Sequence, residues 1–232
     1  MTKPHTVIAP ILMLFALLAI PAWAVEPIGS LAITEDSKLW IEGDSSIHKF
    51  ESYATVLKLD SVLERQVDAS NAKDPTLLRN GDDVGKVTSL ALTIPIKEMK
   101  SPTIGLSSQM HKALKYKEYP NIVFTMQSYD VQQDAEQTNQ YSVLVNGGLS
   151  IAGVTNTVDI TMTGDLKDDL IEVTGEKDVN MTDFGITPPT LMFGRIKVYD
   201  KIVVKWELKI KLETTEGRTQ PTRNSVTLND VE

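Results

Sequence analysis

The sequence predicts an all-β domain: an antiparallel barrel of eight or more strands with one short helix closing an end. Three observations lead there. Period-two patterns dominate the chain from about residue 38 onward, one of them runs for twelve residues, and only the stretch around 107–115 carries helical spacing. The twelve-residue run is KIVVKWELKIKL, where Ile202, Val204, Trp206, Leu208, Ile210 and Leu212 face one way. Lys201, Lys205, Glu207, Lys209 and Lys211 face the other, with Val203 the single apolar exception. Such alternation marks a strand with one buried and one wet face, and its length suits a barrel better than a compact sandwich.

Residues 1–24 read as a secretory signal peptide rather than as part of the fold. Lys3 gives a weakly basic start, Val7 to Ile20 is apolar apart from Pro10, and Ala22-Trp23-Ala24 has the small-x-small cleavage pattern. The stretch is short for a membrane span, which needs roughly 20 apolar residues, so cleavage is favoured over an uncleaved anchor. With no cysteine in the chain, a lipid-modified N-terminus and disulfides are both excluded. Removing 24 of the 232 residues leaves 208, enough for one β domain with a real core. Lys3 leaves with them, so 23 basic residues become 22 against 31 acidic, a net charge of −9. That balance argues against nucleic acid, whose phosphates want a basic face. Lys112, Lys115 and Lys117 are the nearest thing to a basic patch, and read as the solvated face of a helix.

The expected elements run as follows. Lys38 to Gly43 places Leu39 and Ile41 on one side and Trp40 on the other. Ile47 to Leu59 is the next strand and ends in an alternation through Tyr53, Thr55, Leu57 and Leu59. Asp60 to Lys86 is polar and long, and reads as an extended connection with at most a helical turn. Val87 to Ile96 resumes strand. Ser107 to Lys115 is the helix, with Met110, Ala113 and Leu114 on one face, and after Tyr119-Pro120 the pattern switches to Ile122, Phe124 and Met126. Asn121–Val131, Tyr141–Val145, Leu149–Gly153, Thr157–Gly164, Leu170–Gly175, Asp178–Met181 and Leu191–Val198 are further strands, with GVTNTV as a short hairpin connection. The domain is bounded as 25–212, and 213–232 reads as a disordered tail.

Catalytic signals are nearly absent. There is no nucleophile elbow, P-loop or zinc-protease motif. Only His48 and His111 follow the leader, 63 positions apart, which is weak evidence for a metal site. His48 is expected on a strand beside Phe50 as a hydrogen-bonded wall residue, and His111 at the rim of the helix. What is plentiful is adaptable apolar surface: Met99, Met110, Met126, Met162, Met181 and Met192. Ordinary core packing explains each alone, yet an eight-stranded barrel is wide enough to hold a small ligand, and such an interior suits a lipid.

Four stretches, in order, carry a resemblance to a known family: WIEGDSSIHKF (40–50), MHKALKYKEYPNIVF (110–124), GGLSIAGVTNTVDI (147–160) and MTDFGITPPTLMFGRIKVYDKIVVKWEL (181–208). The chain resembles the YceI-like family of exported, lipocalin-like proteins that bind polyisoprenoids. The resemblance implies an eight-stranded antiparallel barrel around an apolar channel, a helix closing one end, and a periplasmic or secreted setting. It implies no enzymatic cofactor; the ligand would be an isoprenoid quinone or a polyprenyl lipid. The resemblance carries over His48, Phe50, Tyr119, Pro120, Ile122 and Phe124, and the expected channel residues are His48, Phe50, Met110, Leu114, Tyr119, Ile122, Phe124, Met126, Phe184, Met192 and Trp206. Lys112 and Lys115 could meet a head group or touch a membrane surface transiently, and the oligomeric state is left open, a dimer included. Two rivals stand beside this reading: an exported interaction module whose barrel is filled by its own side chains, and an enzyme using His48 or His111 on an apolar substrate.

Overall fold

The computed structural model describes residues 27–65, 78–80, 83–137, 139–167, 170–191, 194–214 and 223–229; the leader assigned to residues 1–24 lies outside them. In chain order the strands are β1 Pro27–Ile33, β2 Lys38–Ser45, β3 Phe50–Ala54, β4 Val56–Arg65, β5 Leu78–Asn80, β6 Asp83–Pro95, β7 Met99–Lys100, β8 Asn121–Gln133, β9 Gln140–Ile151, β10 Val154–Lys167, β11 Leu170–Asn180, β12 Thr190–Leu191, β13 Ile196–Thr214 and β14 Arg223–Thr227. One helix, α1 Leu106–Ala113, and two 3-10 turns, Ile96–Glu98 and Met181–Phe184, interrupt them.

Eight of these strands close on themselves in the order β1-β4-β6-β8-β9-β10-β11-β13, with β13 pairing back onto β1. Every step is antiparallel. Closure removes the open edges that an exposed sheet would present. β13 makes it work by length. Its 19 residues pair β11 along one edge; the other edge takes β2 through Val198–Glu207 and then β1 through Ile210–Thr214. β2, β3 and β7 form a flap carried on that second edge. Three outward lysines of β13 are paired across the surface: Lys201 with Asp178 at 2.7 Å, Lys205 with Glu42 at 2.9 Å, and Lys209 with Asp36. Lys209 holds the Asp36 carboxyl below its ordinary pKa, and Lys205 does the same for Glu42. Such exposed pairs contribute little each; they account for why the wet face of this strand is so rich in lysine.

Several sequence expectations need correction. Ile47–Leu59 is not one strand. Ser45 Oγ donates to the His48 carbonyl at 2.7 Å, closing a loop over 46–49, and Thr55 breaks β3 from β4 by donating its N–H to the Glu98 carbonyl at 2.8 Å. Asp60–Lys86 is not all connection, since β4 runs to Arg65 and β6 starts at Asp83 with β5 hairpinned on it; residues 66–77 lie outside the described residues. The strand there was masked by Ser61, an inward serine kept buried because its Oγ accepts the Leu31 N–H at 2.8 Å. The disordered tail is also wrong in part. β13 extends to Thr214, and β14 pairs Val56–Asp60 of β4 while burying Leu228, an apolar signal too brief to read as periodic. β9 and β11 each run unbroken where two strands were expected, and the β9–β10 turn is Ala152-Gly153, both with positive φ, so that GVTNTV lies mostly inside β10. β1 was not anticipated at all.

Candidate ligand-binding channel

The barrel is hollow. Its lumen is a single apolar cavity of about 1540 Å³, larger than the roughly 300–1,000 Å³ of ordinary small-molecule pockets. The alternation read from the sequence puts the right residues there: Ile202, Val204, Trp206, Leu208, Ile210 and Leu212 of β13 all line it, as do Leu39 and Ile41 of β2. Of the expected channel residues, Phe50, Met110, Leu114, Ile122, Phe124, Met126, Phe184 and Trp206 face the lumen. Met192 lies outside the described residues.

His48 and Tyr119 do not reach the channel. His48 is exposed in the β2–β3 loop, with Nδ1 2.9 Å from the Lys49 carbonyl. Tyr119 is 40% exposed and lays its ring over the β9–β10 turn, where a Cβ on Gly153 would stand 2.4 Å from it. That contact explains the Tyr-Pro step, because it pins the segment between helix and β8 to the outside of the barrel end.

The helix is an end plug. It starts one residue before and stops two before the expected Ser107–Lys115 span, because Gly105 (φ 79°) enters it left-handed and Lys115 (φ 53°) leaves it the same way. Leu106, Met110, Ala113 and Leu114 close over the lumen at the end where β8 and β10 begin. His111 points away from it and is tethered rather than free: its Nε2–H donates to the Met99 carbonyl at 2.8 Å, and its ring packs on Tyr116. The histidine thus ties α1 to β7.

Sequence reasoning missed the wall beyond two β-bulges. Between Met126 and Ser128 the register with β9 slips by one, so Gln127 is extra and the inward set becomes Tyr129, Val131 and Gln133. Thr88 does the same on β6, where Val87 lies inward but so do Leu90, Leu92 and Ile94. A bulge residue reverses the face of everything after it.

Three of the inward glycines each receive an aromatic ring. A Cβ on Gly43 would meet the Phe50 ring at 2.2 Å; on Gly147, the Phe124 ring at 2.7 Å; on Gly175, the Trp206 indole at 2.5 Å. Gly43 with Phe50 and Gly175 with Trp206 are register partners on neighbouring strands. The missing side chains let three large rings lie along the wall instead of filling the lumen, which helps to keep the barrel open.

The YceI-like domain model matches residues 49–215. The chain belongs to the YceI-like family. Among solved structures, BcnA of Burkholderia cenocepacia has the same fold at 18% identity and a TM-score of 0.51, with 75% of this chain and 95% of that chain covered. A polyisoprenoid binding domain from Saccharophagus degradans, implicated in plant cell wall breakdown, aligns at 12% identity and a TM-score of 0.50, covering 79% of this chain and 98% of that one. No curated protein matches. In this YceI-like chain β1, β2 and β14 lie outside the matched span, although β1 closes the barrel and β14 covers the edge of β4.

Proposed function

We propose that this protein binds an isoprenoid or another long-chain lipid in the barrel lumen, as a non-enzymatic carrier, store or sequestering protein exported by its N-terminal leader. The observation that carries the reading is the lumen of about 1540 Å³ with its predominantly apolar lining. Each methylene moved from water into it contributes about 0.8 kcal/mol, so a long chain gains affinity from length alone. The likeness to a fold whose relative from Saccharophagus degradans is described as polyisoprenoid-binding points the same way. A barrel filled by its own side chains would not leave this volume. A histidine-based enzyme fits less well, because neither His48 nor His111 lines the lumen.

The test is solvent extraction of the protein purified gently from a bacterial periplasm, with native mass spectrometry in parallel. A stoichiometric long-chain lipid is the expected result. A barrel that yields none, and that takes up neither farnesol nor a C18 fatty alcohol on incubation, would overturn the proposal.

A further inference from the structure

The lumen is apolar with one inward-pointing cation. On β11 the inward set is Ile171, Val173, Gly175, Lys177 and Val179, and Lys177 stands where the alternation calls for a hydrophobe. No hydrogen bond or ion pair joins its side chain to any described residue. Its strand neighbours Glu176 and Asp178 point outward, to Lys205 and Lys201. Among the described residues lining the lumen there are two lysines, Lys177 and Lys211, and no aspartate or glutamate; Lys211 is exposed at the far rim.

The neighbouring inward position carries an aromatic wall. Trp206 is register partner of Gly175, the inward position adjacent to Lys177, and its indole lies across that glycine. Trp206 is 7% exposed, and its Nε1–H is closed off from the lumen, with no acceptor among the described residues. The wall also parts here. β10 and β11 pair only through Thr163–Lys167 and Leu170–Thr174, and toward the helix end no pairing joins Val154–Met162 to Gly175–Asn180. The Met181–Phe184 turn sits across that end, held by Asn156 Nδ2–H donating to the Asp183 carbonyl at 2.8 Å.

We infer that the ligand of this channel is an amphiphile with an anionic oxygen head group, a carboxylate or a phosphate, seated at Lys177 beside the β10–β11 opening while its chain fills the barrel. This rests on the lipid-binding reading and names the ligand class within it. A cation with no partner among the described residues, in a lining that holds no carboxylate, fits an acceptor that carries charge; a neutral alcohol would leave the lysine uncompensated. The acidic chain as a whole offers such a ligand no general attraction, so discrimination comes from this one point.

The test compares matched pairs on the whole protein: oleate against oleyl alcohol, and farnesyl phosphate against farnesol, by displacement of a fluorescent fatty alcohol. The acid is expected to bind at least about tenfold more tightly than its alcohol in one pair or both, and the pair that shows it identifies the head group. Lys177→Met should bring that ratio to about one while alcohol binding persists, and Lys177→Arg should keep it. Equal affinities for acid and alcohol in the native protein, or an unchanged ratio in Lys177→Met, would overturn the head-group site and leave the lipid container standing. Failure of all four compounds to bind would remove both.

Discussion

Replacing Gly43 with alanine should narrow the channel, and the loss should depend on ligand length. A Cβ at Gly43 would sit 2.2, 2.6 and 2.9 Å from three ring atoms of Phe50, with no backbone atom as close, so the ring must move and the wall stays. Gly43 is inward on β2, and the ring can only be displaced toward the lumen. A phenyl side chain covers roughly 150 Å², and at about 25 cal/mol per Å² against 0.8 kcal/mol per methylene this equals about five methylenes of ligand chain. If the ring tilts halfway, a chain that fills the lumen loses about 2 kcal/mol, or ~30-fold in Kd, and a chain that stops short of Phe50 loses nothing. The assay is a series of fatty alcohols of increasing length, titrated by competition into native, Gly43→Ala and Gly43→Ala/Phe50→Ala proteins. In the native protein affinity should rise with each added methylene until the lumen is full; in Gly43→Ala that rise should stop earlier. The double variant should recover long-chain binding, because the ring that was displaced is gone. A loss shared equally by short and long chains, or a double variant as weak as the single one, would refute the ring-on-glycine account. Overpacking itself costs about 1–3 kcal/mol of stability, so the thermal midpoint of each variant is measured alongside.

Other consequences follow from contacts elsewhere in the barrel. His111→Ala removes the hydrogen bond to the Met99 carbonyl, a net loss of about 1 kcal/mol; if α1 gates the end, ligand release by stopped-flow should quicken roughly fivefold, and an unchanged rate would place the port elsewhere. Leu228→Ala should lower unfolding free energy by about 2–3 kcal/mol in denaturant titration, since Leu228 is 5% exposed in the core; a change below about 0.5 kcal/mol, the size expected of a surface site, would show that β14 is dispensable. Tyr53 donates to Glu51, and that carboxylate pushes the phenol up to about 12 from 10.0. The folded state thus holds this proton more tightly, so its contribution is complete below pH 10 and fades as pH rises toward 12. Glu51→Gln should return Tyr53 to the ordinary tyrosine range in an ultraviolet titration, and an unmoved midpoint would mean burial sets it instead.

How much of this was legible depended on whether a strand obeyed a single period. β13 did, and all six of its alternate apolar residues from Ile202 to Leu212 line the lumen as read. The helix and the Ile122–Phe124–Met126 face were legible for the same reason, each presenting one apolar side at its own spacing. Past Met126 the reading failed, because Gln127 is a bulge and nothing in its identity says so. Inward polar residues hid strands as well: Ser61 made β4 look like loop, and Lys177 made β11 look like two pieces. His48 was misplaced because the Ser45 hydroxyl closes a loop where the residues alone suggested strand. The glycines are the most instructive case. Gly147 and Gly175 read as breaks, yet both sit inside continuous strands because a neighbouring ring occupies the space their side chains would need. In sequence a turn glycine and a strand glycine beneath a ring look alike; the backbone φ and the residue opposite across the sheet tell them apart. Gly43 with Phe50 and Gly175 with Trp206 become recognisable once strand pairing is known, and pairing between distant segments is the quantity that a single sequence carries least of.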